Sequence, residues 1–156
     1  MNEVMYSTGK DDWETPQALF DELDSVFHFT LDVCANEHNH KCDRYFTEEL
    51  DGLKQNWDGE VVWCNPPYSN KKQNEWVKRC YEHGQKGYTA VMLIPARTDT
   101  ARFHNYIWKK ATKIIFIRGR LKFGDSKNSA PFPSMIVIYE KENDIYGKEK
   151  STDTCS

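Results

Sequence analysis

Glu60-Val61-Val62-Trp63-Cys64-Asn65-Pro66-Pro67-Tyr68 is the stretch whose reading decides the fold. Its first five residues are a short, mostly apolar run of strand character. The two prolines end that strand, because proline has no N–H to give to a ladder and fixes its own φ. The expected product is a rigid loop at the carboxyl end of a sheet strand, carrying an amide, two fixed carbonyls and an exposed aromatic ring. The Asn65 side-chain oxygen and a proline carbonyl can both accept hydrogen bonds from one amino group, while the Tyr68 ring can lie on a flat heterocycle. An exocyclic ring amine is a weak nucleophile because its lone pair is delocalised. Two acceptors pulling on its hydrogens bring the nitrogen closer to sp³ character and stabilise the positive charge that develops as it attacks an electrophile. The plainer alternative is a Pro-rich turn with a surface Tyr, and Asn-Pro and Pro-Pro are ordinary turn dipeptides.

The rest of the composition narrows the setting. A chain of 156 residues is long enough for one domain with one core. Hydrophobic residues make up 38% and mean hydropathy is −0.80, so the chain is polar without the composition of a disordered one. An aromatic share of 13% favours a packed core, flat ligands, or both. The net charge of −3 and pI of about 6.0 exclude a protein held to nucleic acid mainly by its overall charge, so such contacts would have to be local. Five Cys without a disulfide framework or signal peptide read as free thiols of a reducing cytoplasm. No run reaches the length of a membrane span.

Upstream of the central loop, residues 1–12 are polar and expected to be frayed. Trp13-Glu14-Thr15-Pro16 then opens a helix, with Thr15 suited to the N-cap and Pro16 to the first helical position. Leu19, Phe20, Leu23, Val26 and Phe27 fall on one face at helical spacing. Such a helix start can sit beside an anion such as a cofactor carboxylate, or can simply be a capped amphipathic helix. Residues 28–34 read as a strand running into a turn. Asp32 lies where doubly wound folds place a nucleoside-type ligand, although a solvated turn would use the same residue. Cys34, His38, His40 and Cys42 are dense, but their spacing is that of no established zinc site, and no metal is expected. Residues 43–46 allow a short strand, and Asp51-Gly52 reads as a turn where glycine permits a close backbone approach.

Downstream, residues 69–84 read as a helix with Trp76, Val77, Cys80 and Tyr81 inward and Lys71 and Lys72 at its mouth. Residues 88–94 form a continuous apolar strand of the kind covered on both faces. Thr98 or Asp99 is the expected cap of a helix reaching about Lys110, with Phe103 and Ile107 inward and Arg97 at the same rim as Asn65. Residues 112–117 and 134–139 are further strands. Between them Arg118, Arg120 and Lys122, interleaved with glycines and Phe123, form the best local basic patch. Strand–helix alternation predicts an α/β layer fold with a mostly parallel sheet.

Asn65-Pro66-Pro67-Tyr68 resembles motif IV of the amino-methyltransferases, and Asp32-Val33-Cys34-Ala35-Asn36 resembles the acidic form of their motif I, without its glycines. Together with Thr15-Pro16, Asp51-Gly52-Leu53, Ile94-Pro95-Ala96-Arg97 and Gly119-Arg120-Leu121-Lys122-Phe123, these stretches resemble the phage-type Dam family of DNA N6-adenine methyltransferases over residues 12–140. The resemblance implies a Rossmann-like class I methyltransferase sheet of seven strands, mostly parallel with an antiparallel last strand, and helices on both faces. It implies one domain over residues 1–140 and a polar C-terminal tail over 141–156, in the cytoplasm of a bacterium or phage-infected host. S-adenosylmethionine would lie near Thr15, Pro16, Asp32, Cys34, Ala35, Asp51 and Asn65, with Asp51 as the acidic residue that bonds the cofactor's adenine amine. Asn65, Pro66, Pro67 and Tyr68 would form the catalytic loop around a flipped adenine. Lys71, Lys72, Arg97, Arg118, Arg120 and Lys122 would meet DNA. The ribose-binding acid could be Asp43, Glu48 or Glu49. With no separate recognition domain, DNA specificity would fall to loops 36–43, 69–73 and 119–133. The same amine clamp would also suit RNA or a protein glutamine, and an idle methyltransferase fold that only binds nucleic acid is the reading from another class.

Overall fold

One mixed sheet of five strands organises the computed structural model, which describes residues 13–141. The expectations for residues 1–12 and for the tail beyond residue 141 therefore lie outside the described residues. The strands are β1 (Leu31–Asp32), β2 (Val61–Cys64), β3 (Thr89–Pro95), β4 (Lys113–Phe116) and β5 (Ser134–Tyr139), in the spatial order β1-β2-β3-β5-β4. β1, β2 and β3 pair in parallel, and β5 pairs antiparallel with both β3 and β4. β2 and β3 are joined by the helix α2 (Asn70–Gln85), the crossover that parallel neighbours require. β4 and β5 are joined only by the loop 117–133, and strands linked without a crossover pair antiparallel.

This corrects the expected mostly parallel sheet of seven strands. Two of the four strand pairings are antiparallel, and the described residues hold five strands. The last described strand is antiparallel as expected, and it lies between β3 and β4. The anticipated strand at residues 43–46 contracts to a single parallel bridge between Asp32 and Tyr45. The strand expected over residues 28–34 shortens to β1, because His28 turns left-handed (φ 55°) to end the preceding helix and the Asp24 carboxylate takes the Phe29 N–H at 2.8 Å.

Both faces of the sheet are covered, and the alternation of side chains along each strand shows how. Ala90, Met92 and Ile94 of β3 join Val62, Cys64, Met135 and Val137 in the core beneath α2. Val91 and Leu93 join Trp63, Ile136 and Ile138 on the other face, with Phe20 of the helix α1 (Gln17–Phe27). Phe20 meets Trp63 edge-on at 5.4 Å. Val26 does not belong to that buried face; it is 70% exposed, one residue from the helix end.

The helix expected over 98–110 is a shorter element. A five-residue π-helical turn spans Phe103–Ile107, with the Trp108 N–H reaching the Phe103 carbonyl at 2.7 Å. The run Phe-His-Asn-Tyr-Ile-Trp is poor in strong helix formers, which explains why an α-helix does not propagate. Phe103 and Ile107 face inward as expected, but Thr100 rather than Thr98 or Asp99 receives the Phe103 N–H, at 3.3 Å. No described helix is long and apolar enough to cross a membrane.

Candidate active site

The carboxyl ends of β1 and β2 deliver residues 33–39 and 65–68 to one rim, the position at which open α/β sheets receive ligands. A cleft of about 1510 Å³ opens there. Cys34, Ala35, Asp51, Asn65 and Pro67 line it, as do Val33, Gly52, Leu53 and Trp76. Six carboxylates border it, from Glu14, Glu37, Glu48, Glu49, Asp51 and Glu75, against the single ammonium of Lys72. A space with that balance favours a cation and disfavours a phosphate. Of the three acids considered for the ribose, Glu48 and Glu49 border the cleft and Asp43 does not.

Gly52 is fixed there by sterics. A Cβ on it would stand 2.2 Å from the Val33 carbonyl oxygen and 3.0 Å from the Trp76 ring. The preceding Asp51 adopts φ 54°, and its carboxylate accepts the Leu53 N–H at 3.2 Å. Close packing of the 51–53 turn on the 33–34 backbone thus forms the cleft floor.

Asp32 has a different position from the one expected. It is buried and does not line the cleft; its Oδ1 accepts the Cys34 N–H at 3.2 Å and its Oδ2 the Lys41 N–H at 2.9 Å. Burial raises its carboxyl to about 6, partly opposed by those two backbone donors. Asp32 therefore shapes the 33–41 loop from beneath. Within that loop His40 Nδ1 lies 2.8 Å from the Cys42 carbonyl, and its ring stacks on Tyr45 at 3.9 Å. Among the described residues no three His, Cys, Asp or Glu side chains converge as a metal site. Burial pushes the Cys42 thiol up to about 12.

Asn65 is the focus of the rim. Its Nδ2 donates to the Trp13 carbonyl and, at 2.9 Å, to Thr15 Oγ1. Its Oδ1 is buried and has no hydrogen-bond partner among the described residues. A buried acceptor left unpaired costs about 1–3 kcal/mol, and such an atom calls for an explanation in a native site. Thr15 was expected to cap α1; instead Pro16 occupies the N-cap position without a side-chain bond, and the Thr15 hydroxyl is given to Asn65. Neither Thr15 nor Pro16 lines the cleft.

Tyr68 is also placed differently from the exposed ring that the sequence suggested. It is half-buried, its hydroxyl donates to the Leu93 carbonyl at 3.2 Å, and burial holds the phenol well above its ordinary range. Its ring lies near-parallel to Trp13 at 6.3 Å and edge-on to Phe132 at 5.5 Å and Phe123 at 6.1 Å. Lys71, Lys72, Arg97, Arg118, Arg120 and Lys122 are all exposed. Sequence reasoning overlooked Arg102, which is buried and reaches Asn74 Oδ1 at 3.1 Å and Asn70 Oδ1 at 3.5 Å, tying the turn after β3 to the start of α2. It also overlooked Phe132, whose only signal was an apolar residue between two prolines in a polar loop.

Comparison with known proteins identifies the family. The family model described as DNA N-6-adenine-methyltransferase (Dam) matches residues 4–152. The chain belongs to the Dam family. The DNA N-6-adenine-methyltransferase of Haemophilus phage HP1 is 33% identical over 152 residues, covering 92% of this chain and 86% of that protein. The DNA N-6-adenine-methyltransferase of Escherichia phage T1 is 32% identical over 114 residues, covering 72% of this chain and 47% of that longer protein. Membership of that family gives the chain the activity of a DNA N6-adenine methyltransferase.

Proposed function

We propose that this protein transfers a methyl group from S-adenosylmethionine to N6 of an adenine in DNA, with Asn65 and Pro66 holding the amine. The observation that carries the reading is the buried, unpaired Oδ1 of Asn65 at the end of β2. The residues present fit the cofactor. The acid-rich border suits a molecule with a sulfonium and an ammonium group, and Gly52 lets the backbone close beneath it without a Cβ. Cys34, Ala35 and Asp51 would hold S-adenosylmethionine, Glu48 or Glu49 its ribose hydroxyls, and Asp32, Thr15 and Pro16 would act from behind the lining. When bound, the cofactor supplies an electrophilic methyl group on positively charged sulfur.

The protein's own part is to place and polarise the amine. Asn65 Oδ1 and the Pro66 carbonyl accept the two N6 hydrogens, so positive charge developing on nitrogen is met by oriented dipoles already in place. Pro66 and Pro67 hold those acceptors at fixed φ. The Tyr68 ring supplies a flat apolar surface for the base, its hydroxyl anchored on Leu93. The adenine has to leave the duplex stack to reach this depth. Lys71, Arg97, Arg118, Arg120 and Lys122 would contact the phosphates outside the acidic cleft, and Lys72 would do so from its border. This assignment places the class I methyltransferase fold over residues 1–140, with the polar tail beyond.

The test is transfer of labelled methyl groups from S-adenosylmethionine to DNA lacking adenine methylation, with the modified nucleoside identified by mass spectrometry. N6-methyladenine is the expected product. Absence of any transfer to DNA while the cofactor still binds would overturn the substrate assignment and direct the assay to RNA and protein glutamine.

A further inference from the structure

The environment of the Asn65 amide is asymmetric. The Trp13 carbonyl can only accept, so it must face the Nδ2 group. A half-turn flip of the amide would set Oδ1 against that carbonyl, two acceptors in a buried space. Thr15 Oγ1 takes the other Nδ2 hydrogen at 2.9 Å from a hydroxyl that is itself buried. Residues 13–15 are in turn held from the far side. The Glu14 carbonyl accepts the Gly124 N–H at 2.8 Å, and the Trp13 ring packs edge-on to Phe123 at 5.4 Å and Phe132 at 5.1 Å. The acceptors that meet Nδ2 are therefore fixed by the 121–132 loop as well as by α1.

We propose that Thr15 and the Trp13 carbonyl are the positioning elements of the reaction, orienting the Asn65 amide so that Oδ1 faces the substrate amine, and that they make position 65 specific for asparagine over aspartate. This rests on the reading of Asn65 Oδ1 as an acceptor for the substrate amine. A carboxylate can offer the same acceptor to an amine, but here its second oxygen would lie on the Trp13 carbonyl and the Thr15 oxygen. An amide satisfies both sides at once: its N–H groups point back into the protein and its C=O points forward.

The inference is tested with Asn65→Asp, Thr15→Val, Thr15→Ser and Asn65→Ala in the full chain. The readouts are kcat and KM on unmethylated DNA, S-adenosylmethionine binding by calorimetry, and hydrogen exchange of the Asn65 side-chain amide by NMR. Asn65→Asp is expected to lose about a hundredfold in kcat, the scale of a misdirected transition-state hydrogen bond. Thr15→Val removes one of two acceptors; it is expected to lower kcat about tenfold, change cofactor affinity far less than kcat, leave the KM for DNA near wild type, and speed exchange of the Asn65 amide. Thr15→Ser should restore most of the lost rate and slow the exchange again. Turnover of Asn65→Asp within about threefold of wild type would overturn the inference. So would a Thr15→Val defect that Ser does not rescue, or one that moves cofactor affinity as much as kcat, since either marks a merely structural role. Asn65→Ala separates the two levels: if it turns over normally, the amine-clamp reading itself fails, whereas a dead Asn65→Ala beside active Asn65→Asp and Thr15→Val variants would sink only the positioning inference.

Discussion

The two sides of Asn65 are chemically opposite. On one side lies an open cleft bordered by six carboxylates and floored by the backbone of residues 33–34 and 51–53. On the other lies a cluster of four rings, Trp13, Tyr68, Phe123 and Phe132, with no charge among them, of which Trp13 also borders the cleft. The acidic side is a space ready for a cationic ligand. The aromatic side is a surface already in contact with itself, so a flat ligand there has to displace ring–ring contacts. Under the proposed function, the methyl donor's place is built into the fold, whereas the base makes its place on arrival.

The largest expected effect strikes the point where the two sides meet. Asn65→Ala should lower kcat by about 10²–10³-fold, as for removal of a preorganised transition-state dipole, while calorimetry finds cofactor affinity unchanged. Loss of cofactor binding in that variant would mean that the two sides are not separable. Next comes the support beneath the acidic side. Burial raises Asp32 to about 6, so the protonated acid is the form that the fold favours. Its contribution to stability is full below the unfolded-state value of 3.8 and is lost as pH rises through about 6. Unfolding free energies of wild type minus those of the non-titrating Asp32→Asn should therefore decline by about 3 kcal/mol between acidic and neutral pH. A flat difference would indicate a solvated carboxylate and a looser floor.

Gly52→Ala sharpens the comparison further, since its Cβ meets backbone at 2.2 Å and only the acidic side can feel it. It should cost about 1–3 kcal/mol in denaturant unfolding and weaken cofactor binding, with the KM for DNA left alone. The smallest effect belongs to the aromatic side: Tyr68→Phe loses the bond to Leu93 and should cost about 1 kcal/mol while keeping the ring and most of the rate. A large fall in kcat for that variant would show that the hydroxyl, and not the ring, is what the site uses.

Sequence reasoning located the strands that carry chemistry because their signals are local. A continuous apolar run bounded by turn residues describes β3, and two prolines after Trp63-Cys64 describe the end of β2. It failed where a residue's partner lies far away in the chain. Thr15 has every local property of an N-cap, but its partner is 50 residues ahead. Gln73 and His83 look like surface residues of α2, yet they share the inward stripe of Trp76, Val77 and Cys80 and are fully buried. Their positions at helical spacing were the available signal, and polarity masked it. Asp32 was correctly placed at the end of β1, but one sequence cannot tell whether a turn carboxylate faces ligand or backbone. Tyr68 was read as exposed because Phe123 and Phe132, which help to cover it, arrive from a polar loop more than fifty residues later.

The position of β5 has a consequence for how the chain is made. Among the described strands it is the last to be synthesised, yet it stands between β3 and β4. Until residues 134–139 leave the ribosome, β4 has no partner in the sheet and β3 presents a bare, apolar edge. Translation from the N-terminus can assemble the three parallel strands early, but the sheet closes in one late event, when a single strand enters a slot flanked on both sides. A nascent chain stalled before that strand would carry both Asn65 and the cleft residues, and still lack the Leu93–Ile136 pairing that steadies the carbonyl on which Tyr68 is anchored.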